Sequence, residues 1–297
     1  MMSTPLVFPK AEAARVEPYL PPLSAGSVDS HADTLPFVTL PFVTLTFATS
    51  LDSALSLGPG IRTAISGPQS KAMTHYLRSR HDAICVGVGT AIADDPGLNC
   101  RLIAAGIAGG SCGLDDSSGT PTTACQPRPI VIDPRLRWNF TSQSKVMQLA
   151  RAGEGLAPYI LTAVTEPPVD KRRLLEEHGG KFIILGPAQS RDQNSKDGCW
   201  RFDWRAILAA VREEGLRSIM IEGGGAVINS LLSAGNNELI DSVILTIAPT
   251  WLGQGGVVVS PPRPPGDGVQ SGPAARLTDT TWLPLGEDVV LCSRIAK

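Results

Sequence analysis

The chain has no Cys-x-x-Cys pair: its six cysteines, at 85, 100, 112, 125, 199 and 292, stand far apart, and its four histidines form no pair beside them. That spacing argues against a structural zinc site and against a disulfide framework. Cys85 and Cys292 fall inside apolar runs, where a thiol acts as a small buried hydrophobe. No run reaches the roughly 18 apolar residues that a membrane span needs. The opening stretch, MMSTPLVFPKAEAARVEPYLPPLSAG, has no basic region leading into a continuous apolar core. An excess of one charge is also missing: 26 Lys and Arg against 28 Asp and Glu leave a net charge of −2, so nothing marks a binder of nucleic acid. These absences point to a reduced, cytoplasmic protein with neither a membrane nor a nucleic-acid partner.

What remains is a chain with 42% hydrophobic and 18% charged residues, a globular balance, and 297 residues are enough for one large α/β domain. Residues 1–36 are rich in Pro, Ala and Ser without periodicity and are expected to form a flexible tail, leaving 37–297 as a single domain. At its start PFVTL occurs twice in tandem, at 36–40 and 41–45. A shift of five residues reverses which face of a strand is buried, so one copy alone holds the core register. The second, running on through TFATSLD with Val43, Leu45 and Phe47 on one face, is the expected strand.

Strand-like runs then recur at 42–48, 83–88, 129–133, 158–163, 181–185, 218–222 and 242–248. Helical signals lie between them. Pro68 opens one with Ala72, Met73, Tyr76 and Leu77 on a single face, Asp170 to His178 ends at Gly179, and Asp203 caps a third carrying Ile207, Leu208 and Val211 up to Gly215. Such alternation predicts a mostly parallel sheet flanked by helices. The end of the chain departs from it: LTDTTWL and DVVLCSRI flank the turn signal PLGE and predict a C-terminal antiparallel hairpin, which makes the sheet mixed. Three Gly, Pro, Ser or Asp-rich stretches, 104–127, 188–198 and 260–273, read as loop insertions in that domain.

The stretch SIMIEGGGAVINSLLSAG places Glu222, Gly223, Gly224 and Gly225 between a buried strand and an amphipathic helix. Glycines there let a phosphate approach backbone N–H groups, but the same turn serves tight geometry without any ligand. It is not the dinucleotide fingerprint G-x-G-x-x-G, because the third glycine would fall at Ile228 and Asp241 precedes its strand instead of ending one. A second candidate is VGVGTAIADDPGLNCRL, 86–102, in which Thr90 follows a strand at the carboxyl end where α/β sheets place ligands, and Asp94 lies one helical turn on. Taken alone, the aspartates are more simply read as capping before Pro96. Arg78 and Arg101 flank the stretch and suit a phosphate, or are solvated charges.

Together, ATSLDSALS, ISGPQSKAMTHYLRSRHDAICVGVGTAIADDPGLNCRL and IMIEGGGAVINSLL, in that order, resemble the reductases of riboflavin biosynthesis, both the stand-alone fungal and archaeal enzymes and the reductase half of the bacterial deaminase-reductase. The resemblance covers about residues 41–103, 129–133 and 218–250, and its most specific part is T-x₃-D-D-P-x-L-x₂-R. It implies a dihydrofolate-reductase-like fold, a homodimer, NADPH as cofactor, and reduction of 2,5-diamino-6-(ribosylamino)pyrimidin-4(3H)-one 5′-phosphate to its ribitylamino counterpart. In that reaction the ribose opens to an imine, and hydride reaches the sugar C1′. By the same resemblance Ala48, Ala64, Thr90, Asp94, Gly223, Gly224 and Gly225 contact NADPH, while Ser50, Arg62, Arg78, Leu98, Arg101 and Glu222 face the substrate. Asp52 is the candidate catalytic group for the proton. The zinc deaminase motifs H-x-E and P-C-x-x-C of the bifunctional relatives are missing; His31-Ala32-Asp33 is the nearest approach. Ser53 stands where many relatives have glycine. Two other classes compete: a dihydrofolate-reductase-like enzyme of another pterin or pyrimidine, which has no need of clustered arginines, and a non-catalytic nucleotide-binding module, which needs no substrate set.

Overall fold

The structure, a computed structural model, describes residues 6–22, 39–102, 126–186, 202–262 and 275–296. In chain order its strands are β1 (Phe42–Thr49), β2 (Ala54–Ser56), β3 (Ala83–Gly87), β4 (Arg128–Ile132), β5 (Tyr159–Thr162), β6 (Lys181–Ile184), β7 (Ser218–Gly223), β8 (Ser242–Ile247), β9 (Val257–Val258), β10 (Leu277–Leu285) and β11 (Asp288–Ile295). Its helices are α1 (Lys10–Val16), α2 (Pro68–Ser79), α3 (Val88–Asp94), α4 (Lys145–Arg151), α5 (Val169–Glu176), α6 (Trp204–Glu213) and α7 (Gly225–Leu231). Nine strands form one sheet in the order β10-β11-β8-β1-β7-β3-β4-β5-β6. From β8 to β6 all neighbours are parallel, and β11 and β10 add the antiparallel hairpin. Every strand expected from the apolar runs is present, and the fold class is the one the alternation predicts.

The second PFVTL copy supplies β1, with Val43 and Leu45 sealed in a core cluster and Phe47 packed against it. Thr39 and Leu40 of the first form no strand, and 36–38 lie outside the described residues. Because β1 and β7 are central, both of their faces are covered. Ile219 and Ile221 of β7 meet Ile207, Leu208 and Val211 of α6, while Met220 between them meets Met73 and Leu77 of α2 on the other face. A third cluster joins Ile84 and Val86 to Met147 of α4 and Leu175 of α5. Burying each such aliphatic side chain is worth about 1.5–3 kcal/mol.

The N-terminal segment corrects the expectation of a flexible tail over 1–36. Within residues 6–22, Phe8, Val16, Tyr19 and Leu20 join the cluster under α2, and the Phe8 ring lies 5.2 Å from that of Tyr76. Arg80 clamps Glu17 through Nε and Nη2 at 2.9 and 3.0 Å, and the Tyr76 hydroxyl also donates to Glu17. Proline and alanine hid these apolar positions because they recur too irregularly to give a period. Residues 23–36, with His31-Ala32-Asp33, lie outside the described residues, as do nearly all of the insertions at 104–127, 188–198 and 260–273. A smaller correction concerns α6: Asp203 stands at its N-cap without a side-chain hydrogen bond.

Candidate active site

The strand order makes the site. The chain leaves β1, skips one place to β3, works outward to β6, and only then returns with β7 into the gap between β1 and β3. Connections diverge there, and in open α/β sheets ligands settle in the crevice beyond the carboxyl ends of the strands at such a point. A cleft of about 1170 Å³ lies there. Ala48 at the end of β1, Thr90 and Asp94 of α3, Glu222, Gly224 and Gly225 after β7, and Arg62 and Ala64 of the β2–α2 connection all line it. Gly223 is the last residue of β7 beside them. Eight of the expected site residues therefore share one cavity.

The glycine turn has intramolecular reasons for its composition. Gly223 and Gly224 have φ of +123° and +76°, a region that disfavours any Cβ. A Cβ on Gly224 would stand 3.0 Å from Thr90 Oγ1, and one on Gly225 would collide with Val257. The turn thus brings bare backbone against Thr90 across the cleft. At Gly89, which also lines the cavity, a Cβ would meet nothing within 4 Å. The cleft is larger than the roughly 300–1,000 Å³ of ordinary ligand pockets, which is room for a dinucleotide and a second ligand together. A nicotinamide cofactor fits this cradle.

Glu222 and Arg78 are joined. Arg78 Nε and Nη2 donate to the two carboxylate oxygens at 2.7 Å each, and Nη1 donates to the Asn99 carbonyl at 3.0 Å. Burial opposes the Arg78 charge, but the Glu222 carboxylate beside it outweighs that and raises its pKa. Between β3 and β7 the register slips here, from Cys85 opposite Ile221 to Val86 opposite Gly223, so Glu222 has no partner on β3. Arg101 stands beside His75, whose Nδ1 accepts its backbone N–H at 3.1 Å. Burial, then Arg78, then Arg62 lower the Arg101 pKa. Burial and the charges of Arg78 and Arg101 hold His75 neutral, its pKa lowered to about 3. Sequence reasoning missed His75; its only signal was a polar residue on a largely buried helix.

Three expectations are corrected by geometry. Asp52 does not line the cleft: it accepts the Ser50 hydroxyl and the N–H groups of Leu252 and Gly253, at 3.2 and 2.8 Å, which hold its pKa down to about 2. Such a carboxylate anchors the 250–253 loop and is a poor proton donor. Ser50 is consumed in the same knot, also accepting the Ala54 N–H at 3.0 Å. Leu98, expected against substrate, is buried with Ile84, Val86 and Met147. Of the two aspartates for which capping was the simple reading, Asp95 does cap, accepting the Lys145 N–H of α4 at 3.1 Å. Ser53 has φ of +60°, which explains why glycine suits that position in relatives.

A mostly parallel α/β sheet with this crevice is one instance of a known class, for the chain belongs to the family of the RibD C-terminal domain, whose model matches residues 41–291; Arg78 and Arg101 stand behind the crevice and do not line it. The 2,5-diamino-6-ribosylamino-4(3H)-pyrimidinone 5′-phosphate reductase of Candida glabrata is 39% identical over 283 residues, 95% of this chain and 98% of that protein. The enzyme of the same name from Saccharomyces cerevisiae is 37% identical over 94% of this chain and 93% of its own. The solved structure of the Saccharomyces cerevisiae riboflavin biosynthesis reductase superposes with a TM-score of 0.67 and 32% identity, covering 97% of this chain and all of that one. Acinetobacter baumannii RibD shares the fold at a TM-score of 0.61 and 21% identity, over 87% of this chain and 59% of that one.

Proposed function

We propose that the chain reduces 2,5-diamino-6-(ribosylamino)pyrimidin-4(3H)-one 5′-phosphate to the ribitylamino product with NADPH, as an oxidoreductase of riboflavin biosynthesis. One observation carries the reading beyond the family's name: Arg101 lies within electrostatic reach of both Arg78 and Arg62, while Glu222 is bonded to Arg78 and Asp94 lies near Arg62, so three arginines face two carboxylates. This surplus of positive charge suits a phosphate dianion, which a phosphate-free pterin lacks.

When bound, the nicotinamide supplies the hydride. The chain's own groups position the reactants. The glycine turn and Thr90 offer backbone and hydroxyl contacts to the cofactor, and Ala48 and Ala64 leave space beside it. Arg62 and Arg101 face the substrate phosphate. Arg78, held by Glu222, is a fixed charge behind them, and the Glu222 lone pairs left by Arg78 accept from the sugar hydroxyls. Asp94 has its pKa raised by burial, partly offset by Arg62, and contacts the cofactor. The reading includes a cytoplasmic homodimer, which sedimentation of the purified protein checks.

Mixing the purified chain with NADPH and the phosphorylated substrate should consume nicotinamide absorbance. Arg101→Ala should lower kcat/KM by roughly ten- to hundredfold, the value of one charge-assisted hydrogen bond, and leave NADPH affinity unchanged. It should also erode the preference for phosphorylated over dephosphorylated substrate. Equal losses on both substrates would sink the phosphate assignment.

A further inference from the structure

The cleft has a second cationic end that the substrate reading does not use. Arg137 lines it from the loop after β4, as do Ile132 and Pro134, and Phe202 and Trp204 line the same cleft. In the sheet, β4 lies two strands from β7, with β3 between them. Arg62 and Lys71 enter the same cavity from the connection before α2 and from α2 itself, so the cations approach the glycine turn by different connections. Two strand spacings put the end of β4 about 10 Å from that turn, within the combined reach of a ribose and an arginine side chain.

The loop is built to present this residue. The buried Asp133 carboxylate accepts the N–H groups of Arg137 and Trp138 at 2.9 and 2.8 Å, and the Leu136 N–H donates to the Asp133 carbonyl at 3.2 Å. The Arg137 backbone is thereby fixed. Its guanidinium is exposed, and no carboxylate partner for it occurs among the described residues. The nearby acid cannot serve a ribose hydroxyl either, since Asp133 is buried and committed to backbone amides. Sites that take an unphosphorylated ribose offer a carboxylate to its 2′-hydroxyl, whereas an arginine accommodates a 2′-phosphate.

We propose that Arg137 reads the 2′-phosphate of the dinucleotide and sets the preference for NADPH over NADH. The proposal rests on the nicotinamide reading above. Arg137 would then hold the adenosine end and the glycine turn the pyrophosphate.

Calorimetric titration of the full chain with NADPH, NADH, 2′,5′-ADP and 5′-AMP tests it without turnover. Wild type should bind 2′,5′-ADP more tightly than 5′-AMP by roughly ten- to hundredfold. Arg137→Ala should abolish that difference with 5′-AMP affinity unchanged, and Arg137→Lys should keep part of it as a point charge. Because the side chain is exposed and its backbone bonds survive in alanine, the variant should fold normally. A preference that survives in Arg137→Ala, or is lost instead in Lys71→Ala, overturns this assignment alone. A folded wild type that binds neither dinucleotide overturns the cofactor reading and this proposal with it.

Discussion

The end of α2 carries two arginines, two residues apart, that each grip a glutamate with two hydrogen bonds, and only one of them belongs to the site. Arg78 holds Glu222 at 2.7 Å on both arms, and Arg80 holds Glu17 at 2.9 and 3.0 Å. In chemistry the pairs are alike. What separates them is topology: Glu222 ends a central parallel strand beside the glycine turn, while Glu17 follows α1 and ties the N-terminal segment to the back of the helix. Ion-pair geometry alone does not mark function; position relative to the carboxyl ends of the strands does.

Removing each acid sharpens the contrast. Glu222→Ala strands the Arg78 charge, whose side chain is 13% exposed, and should cost about 3–5 kcal/mol in urea unfolding together with nearly all activity. Glu17→Ala strands Arg80, whose side chain is 8% exposed, so it should cost stability on the same scale, about 3–5 kcal/mol, yet leave kcat/KM of the remaining folded enzyme unchanged. Equal losses of activity from the two variants would abolish the distinction.

The same helix should show acid sensitivity on both sides. His75, beside Arg101, is pushed down to about 3 by burial and then by Arg78 and Arg101. His81 is pushed down to about 4 chiefly by burial, with its ring bonded to the Leu77 carbonyl and the Thr44 hydroxyl at 2.7 and 2.8 Å. Both folded pKa values lie below the unfolded value of about 6.5, so the unfolded chain binds more protons in acid. Their stabilisation is complete above about pH 6.5 and is lost as pH falls toward 4 and 3; between pH 6.5 and 5.5 the loss should total about 2 kcal/mol. Over that window the loss is set by the unfolded histidines, so Arg101→Ala, which removes only the smallest of the lowering influences on His75, should leave it unchanged. Denaturation midpoints at four pH values decide this, and a flat profile over the window removes the argument.

Legibility divides along similar lines. Central strands announced themselves because burial on both faces produces unbroken apolar runs, as in AICVG and SIMI, and the glycine turn because φ of +123° and +76° in succession favours glycine. Residues 6–22 were illegible since their four buried side chains sit at positions 8, 16, 19 and 20, which match neither period. The short pair β2 and β9, three and two residues long, falls below any periodic signal, yet it brings Val257 onto Gly225. Side-chain roles were harder still. Ser50, Asp52 and Leu98 sit in the right neighbourhood, but a sequence cannot say that a carboxylate is already filled by two amides or that a leucine points into the core.

Asp94 and Asp95 give the finest version of the comparison, since adjacent residues of one type have diverged completely. Asp95, with φ of +40°, turns away from the cleft and caps α4 through the Lys145 N–H; Asp94 lines the cleft with a raised pKa, disfavoured as an anion by burial. Asp95→Ala should therefore cost about 1 kcal/mol of stability with kinetics unaltered. Asp94→Asn keeps size and one acceptor, so it should leave the denaturation midpoint in place and raise KM for NADPH severalfold while the pH dependence of kcat persists. The raised pKa makes this demanding, because burial disfavours the Asp94 anion relative to its neutral form. If Asp94→Asn binds NADPH normally but loses an ionisation from its pH–rate profile, Asp94 transfers the proton that Asp52 cannot, and its role moves from holding the cofactor to the chemistry itself.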